Sequence, residues 1–266
     1  MKVGVLGTGN MGKALISGLL NSYGKKISIV AYDRYSAATE NLPEDVAVLP
    51  PESWFSGTEA PDAVIVAVKP ADIAAALEPL SKLISKPQTL WISIAAGVSI
   101  ASLAKSLPLN SRICRVMPNM PALIGEGVSA YALNSDSLAN DSKLVEDILK
   151  ACGKVVQVSE KLMNAVTGLS GSGPAYVFLF IEALIEGGIT VGLSYAVARE
   201  CAVQTVLGAA KMMELTGDNP NILKSKVMSP AGTTSAGLLA LEKNAFKHAV
   251  ISAVTDATKR AEQLGA

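Results

Sequence analysis

The 266-residue chain has one histidine, three cysteines, 5% aromatic residues and no excess of either charge. Each scarcity removes a class of function. A single histidine, His248, set among Phe246, Lys247 and Ala249, offers no acid–base pair and reads as a surface or interface residue. With isolated cysteines beside it, no metal-ligand set of sensible spacing is present, so no metal is expected. Cys114, Cys152 and Cys201 are far apart and odd in number, which reads as core thiols in a reducing cytosol rather than a disulfide framework. Lys and Arg balance Asp and Glu at 23 each without a basic stripe, so nucleic acid and membrane surfaces have no electrostatic support as partners. The N-terminus carries a strand pattern, not a signal peptide. Leu162 to Ile181 is uncharged but interrupted by Asn164, Thr167, Gly171, Gly173 and Pro174, and is not read as a membrane span.

What is abundant is apolar. Half the residues are hydrophobic, 17% are charged, and the mean hydropathy is +0.37. The length suffices for one large domain or two modest ones with a sizeable core. A water-soluble chain of that character hides surface beyond its own core, which points to a buried subunit interface.

The rest of the chain is organised around Lys2 to Lys13. Lys2 to Leu6 is a short apolar run of strand length, and Ala14 to Leu20 continues at helical spacing. Between them Gly7, Gly9 and Gly12 form G-x-G-x-x-G. The first glycine permits a sharp exit from the strand, the second lets a pyrophosphate approach the backbone, and the third lets helix and strand pack closely. The helix N-terminus behind them favours an anion. A glycine-rich turn alone is common; here a strand precedes it, a helix follows, and Asp33 closes a second strand 21 residues after Gly12. Asp33 suits a ribose 2′-OH and hence NAD, whereas Arg34 suits a 2′-phosphate and hence NADP, so the pair leaves cofactor preference open.

Further strands are expected over Ile27–Tyr32, Val46–Leu49 within a polar, proline-bearing loop from Asn41 to Thr58, Ala63–Val68, Leu90–Ile94, Arg112–Val116, Val128–Leu133 and Val155–Val158. Helices are expected over Asp72–Leu83, Ile100–Leu107 and Ser137–Lys150. The alternation predicts a doubly wound parallel sheet of Rossmann type, with ligands at the carboxyl ends of its strands, where Gly7, Asp33, Lys69, Ala95 and Asn119 would gather. Past Glu160 the strand signals cease. Helices are expected over Tyr176–Ile189, Tyr195–Thr216, Pro220–Val227, Thr233–Asn244 and Phe246–Leu264, the second of them apolar nearly all round as in a bundle or dimer core. The expected division is a dinucleotide-binding domain, 1–159, and an all-helical dimerisation and substrate domain, 160–266.

Two stretches of the helical half have a composition that packing does not demand. Thr167 to Tyr176 holds three glycines and Pro174, suited to a tight turn feeding a helix with proline in its first turn. Ser229-Pro-Ala-Gly-Thr-Thr234 precedes another helix and could cradle a carboxylate with its N–H groups and hydroxyls. Helix capping is the alternative reading of both.

Together these residues resemble the pyrroline-5-carboxylate reductase family. The likeness runs the whole chain, through Gly7 to Gly12, Ala67 to Pro70, Ser93 to Gly97, Arg115 to Asn119, Gly168 to Tyr176 and Ser229 to Leu238. The resemblance implies reduction of a cyclic imino acid, 1-pyrroline-5-carboxylate, to L-proline by NADPH, with NADH possible. It also implies a cytoplasmic homodimer of intertwined helical domains, assembled further into a ring. By the same resemblance Leu6, Gly7, Thr8, Gly9, Asn10 and Met11 form the dinucleotide turn, and Ala67, Val68, Lys69 and Pro70 its adenosine side. Ala95, Ala96, Gly97 and Asn119 form the nicotinamide side. Gly232, Thr233 and Thr234 hold the substrate carboxylate, with the Thr234 hydroxyl facing the imine nitrogen as the catalytic group, and Glu160 lies near the substrate. Three positions depart from the family pattern. Ala231 replaces a usual glycine and must keep φ negative or accept strain, Met120 replaces a common threonine, and Asp33 is less usual than a neutral residue.

The chemistry suits what is lacking. An iminium carbon is already electrophilic, so hydride transfer needs orientation and a hydrogen-bonded nitrogen more than a strong acid. The β-hydroxyacid dehydrogenases share the domain order but place a lysine on a helix after a glycine-rich turn, and no lysine lies between Lys161 and Lys211. A dinucleotide-sensing regulator would need no carboxylate cradle.

Overall fold

A computed structural model describes residues 1–55, 60–84 and 88–265. By internal contacts the chain forms two compact units, one of Met1–Ser172 joined by the residues from Asp256 onward, the other of Gly173–Thr255.

The first unit contains β1 (Lys2–Leu6), α1 (Asn10–Tyr23), β2 (Ser28–Tyr32), β3 (Val46–Val48), β4 (Ala63–Val66), α2 (Ile73–Ser81), β5 (Leu90–Ser93), α3 (Ile100–Ala104), β6 (Arg112–Met117), β7 (Gly127–Leu133), α4 (Asp141–Leu149) and β8 (Gly153–Gln157). These strands form one sheet in the order β3-β2-β1-β4-β5-β6-β7-β8. In β4, Ala63 and Ile65 join one apolar cluster with Leu15, Ile16 and Leu19 of α1. Val64 and Val66 join another, on the opposite face, with Leu77 and Leu80 of α2 and with Trp91. That alternation explains why the strand reads as an unbroken apolar run: both faces are covered.

The expected parallel sheet holds through β6, but β7 runs antiparallel to it, Cys114 facing Leu133 and Met117 facing Ala130. A parallel neighbour needs a crossover of a dozen or more residues. Only a short link with one 3₁₀ turn, Met120–Ile124, joins β6 to β7, so the chain folds straight back. The longer route through α4 then returns β8 parallel to β7. The loop from Asn41 also holds a turn, Pro51–Phe55, that buries Trp54; the last residues of the stretch expected to be loop, 56–58, lie outside the described residues.

Beyond β8 the chain is helical: α5 (Met163–Val166), a π-helical turn over Thr167–Gly171, α6 (Gly173–Thr190), α7 (Tyr195–Thr216), α8 (Pro220–Val227), α9 (Thr233–Lys243) and α10 (Phe246–Gly265). The tight turn expected at Thr167–Tyr176 is therefore a π turn between helices. Side chains offset the poor propensity of its glycines: Thr167 Oγ1 donates to Met163 O at 2.8 Å and Ser170 Oγ to Val166 O at 3.0 Å. Gly171 lies against Met117: a Cβ there would be 2.5 Å from Met117 Cε, and the flexible methionine tip would have to shift.

As a result Glu160–Thr190 is one helical stretch, long and apolar enough by length and composition to cross a membrane, where the interruptions had argued against a span. In the second unit the apolar side chains face outward: Phe178, Leu179, Leu207 and Leu215 are 56%, 66%, 59% and 75% exposed. Cys201 on α7 is exposed too, against the expectation of three core thiols, because the chain alone does not cover that helix. Cys114 and Cys152 are buried, and burial pushes both thiols up from their ordinary pKa.

Candidate active site

The three glycines of the first turn have distinct geometry. Gly7 has φ +99°, and a Cβ on it would lie 2.7 Å from the Ala67 carbonyl carbon, so the strand exit is open to glycine alone. A Cβ on Gly12 would strike the Gly7 carbonyl oxygen, which fixes the close approach of α1 to β1. At Gly9 nothing lies within 4 Å. Gly9 is also the N-cap of α1, and no side chain caps that helix. Open space and uncapped N–H groups together are what a pyrophosphate needs.

Beside this turn a cleft of about 430 Å³ opens at the carboxyl ends of β1, β2 and β4. Leu6, Gly7, Gly9, Asp33, Arg34, Ala67, Val68 and Lys69 line it, as the sequence led us to expect, with Tyr35, Asp72 and the flank of α2 added. Asn10, Met11, Pro70, Ala95, Ala96, Gly97 and Asn119 are not among its lining.

Both carboxylate oxygens of Asp33 are engaged by the protein. Its Oδ2 receives the backbone N–H of Thr8 at 2.8 Å and the Thr8 hydroxyl at 3.4 Å, and Oδ1 receives the backbone N–H of Tyr35 at 3.0 Å. Thr8 is buried and its hydroxyl also donates to Ala38 O at 3.0 Å. The carboxylate thus ties the glycine turn to the end of β2. Next to it, Arg34 Nη1 lies 2.7 Å from Asp72 Oδ1, and Arg34 Cζ is 4.7 Å from the centroid of the Tyr35 ring. Neither Tyr35 nor Asp72 was picked out by the sequence; both follow an expected site residue by one or two positions, which is the signal that was there.

Around the expected nicotinamide side, Ala95 is buried, its N–H held by Ser93 Oγ at 3.3 Å, and Gly97 takes φ +77°. The end of α10 reaches this turn: a Cβ on Gly97 would lie 3.4 Å from Leu264 O. Asn119 accepts from Val128 N–H at 2.9 Å, so its amide oxygen braces the start of β7. Glu160, expected near substrate, has its Oε1 engaged: it accepts from Ile100 N–H at 2.7 Å and pairs with the buried Arg115 at 3.4 Å. That gives it a bracing job at the start of α3.

In the second unit Gly232 is the N-cap of α9, with no side-chain cap. Thr234 is half-buried, and neither Thr233 nor Thr234 places its hydroxyl on a neighbour among the described residues. Helix capping therefore does not account for the two threonines. Ser235 Oγ instead donates to Ser229 O at 3.1 Å and closes the loop. Ala231 has φ +55°, so of the two alternatives for this departure the loop accepts strain.

An open glycine turn, an uncapped helix behind it and a cleft at a strand-order switch define a dinucleotide-binding α/β protein, here carrying a helical unit. Residues 2–97 match the family described as NADP oxidoreductase, coenzyme F420-dependent, and residues 160–264 match pyrroline-5-carboxylate reductase dimerisation. A pyrroline-5-carboxylate reductase of Synechocystis sp. is 39% identical over 100% of this chain and 98% of its own length. The structure of a pyrroline-5-carboxylate reductase from Coxiella burnetii superposes with a TM-score of 0.92 at 34% identity, covering 99% of this chain and 98% of that one. The Plasmodium falciparum pyrroline carboxylate reductase with NADP bound gives 0.86 at 33% identity, over 100% of this chain and 98% of that one. The chain belongs to the pyrroline-5-carboxylate reductase family.

Proposed function

We infer that the protein reduces 1-pyrroline-5-carboxylate to L-proline, the last step of proline biosynthesis, taking hydride from NADPH, with NADH as a possible alternative. The observation that carries this reading is full-length likeness to reductases of that name. Residues Leu6 to Met11 fit the pyrophosphate, because Gly9 leaves the approach clear and α1 presents an uncapped N-terminus. Ala67 to Pro70, with Arg34, would hold the adenosine end. Ala95 to Gly97 and Asn119 would set the nicotinamide end. Bound there, the reduced nicotinamide supplies the hydride to the imine carbon.

The chain's own contribution is orientation. The N–H groups at Gly232, Thr233 and Thr234 can receive the substrate carboxylate at the positive end of the α9 dipole. The Thr234 hydroxyl can hold the ring nitrogen, which loses its positive charge as hydride arrives. Glu160 supports the site through Arg115 and α3. The match of residues 160–264 to the family's dimerisation region, with exposed apolar side chains on α6 and α7, supports a homodimer, which we read as extended to a ring, and the two buried free thiols suit a cytoplasmic location. The test is direct. Purified protein mixed with 1-pyrroline-5-carboxylate and NADPH should consume the reduced nicotinamide; binding of NADPH without consumption would favour the dinucleotide-sensing regulator.

A further inference from the structure

The cleft beside the glycine turn has two residues placed to read the 2′ position of an adenosine ribose, and the structure gives them unequal freedom. Asp33 has both carboxylate oxygens engaged by backbone N–H groups, one from Thr8 at 2.8 Å and one from Tyr35 at 3.0 Å. These bonds orient the carboxylate and leave it further acceptor capacity toward a ribose hydroxyl. A 2′-phosphate, being an anion, calls instead on the cation beside it, Arg34 on the cleft wall.

Arg34 is itself engaged. Its Nη1 is 2.7 Å from Asp72 Oδ1, and its guanidinium rests on the Tyr35 ring with Cζ 4.7 Å from the centroid. A guanidinium binds phosphate best with two parallel N–H groups. Here one edge of the fork is committed to a carboxylate that also lines the cleft. A 2′-phosphate must either displace Asp72 from Arg34 or share the guanidinium with it, and either way it gains less than it would from an uncommitted fork. A ribose bearing only hydroxyls makes no demand on that fork.

We propose that Asp72 is a specificity-determining residue that acts through Arg34, restraining its guanidinium and lowering the preference for the 2′-phosphorylated cofactor. The proposal rests on the reading of this cleft as the adenosine site. Asp72 stands two residues past Pro70, at the start of α2, so its place is set by the 3₁₀ turn Pro70–Asp72. Selectivity in this chain is then a balance between an arginine that attracts the phosphate and an aspartate that occupies the arginine.

The experiment uses the whole protein and two cofactor fragments, 2′,5′-ADP and 5′-AMP, titrated by calorimetry into wild type, Asp72→Asn, Asp72→Ser, Arg34→Ala and Arg34→Ala with Asp72→Asn. Release of the Arg34 fork from its ion pair should raise the affinity ratio for 2′,5′-ADP over 5′-AMP by roughly tenfold in both Asp72 variants. With Arg34 already removed, the Asp72 change should move that ratio less than about twofold. An unchanged ratio in the Asp72 single variants would overturn the proposal. So would an equal gain in the Arg34→Ala background, which would make Asp72 a plain background charge. Wild type that binds neither fragment would instead refute the cleft as the adenosine site, and the proposal with it.

Discussion

Asp33 Oδ2 accepts the backbone N–H of Thr8 at 2.8 Å, so the residue that spacing marks as a ribose reader closes the glycine turn onto the end of β2. Hydrogen bonds to a charged group each contribute about 1.5–3 kcal/mol when well shielded, less where water competes. Asp33→Ala should therefore weaken NADPH and NADH alike, by about tenfold each, because the turn loses its anchor. Equilibrium titration of both cofactors checks this. A loss confined to NADH would return Asp33 to the role of ribose reader.

The glycines of the turn separate stability from binding. Gly12→Ala forces a Cβ against the Gly7 carbonyl oxygen, and melting should occur well below wild type. Gly9→Ala meets nothing within 4 Å in the protein, so its melting temperature should stay within a few degrees while dinucleotide affinity falls at least roughly tenfold. If Gly9→Ala kept full affinity, the pyrophosphate would not pass over Gly9.

Ala231 sits at φ +55°, where an L side chain costs about 1–2 kcal/mol and glycine's extra unfolded-state entropy costs about 0.4–1. Ala231→Gly should leave stability equal or raise it by up to about 1.6 kcal/mol. Ala231→Val adds a β-branch in the same conformation and should lower stability by about 1–3 kcal/mol. Thermal denaturation of the two variants decides; a destabilised glycine variant beside a neutral valine one would contradict the backbone assignment.

Thr234 makes no cap and donates to no neighbour among the described residues, so its removal should not disturb the fold. Thr234→Ala should lower kcat/KM for 1-pyrroline-5-carboxylate by about 10- to 150-fold, the worth of a hydrogen bond to a charged group. Cofactor affinity and melting temperature should stay near wild type. Normal turnover in a variant that melts early would remove Thr234 from the site and restore a capping role.

The legible features were those whose cause is local. The sharp strand exit at Gly7 and the close helix approach at Gly12 stand where the G-x-G-x-x-G spacing puts them. The double-sided apolar run Ala63–Val66 likewise announced a central strand. The reversal of β7 was missed because alternation of elements was read without the length of the link at Met117–Gly127, too short for a parallel crossover. Clamps such as Thr8 to Asp33 and Glu160 to Ile100 join residues 25 and 60 positions apart, and no periodicity encodes them. The helical course through Gly168 and Gly171 was hidden for another reason. Propensity counts glycines against a helix, whereas the π turn is held by Thr167, Ser170 and the approach of Met117.

The central claim is imine reduction, and product stoichiometry tests it most directly. Purified protein given 1-pyrroline-5-carboxylate and limiting NADPH should form one equivalent of proline per NADPH consumed, entirely as the L enantiomer by chiral chromatography. NADPH that binds but is not consumed, or consumption without proline, would contradict the account.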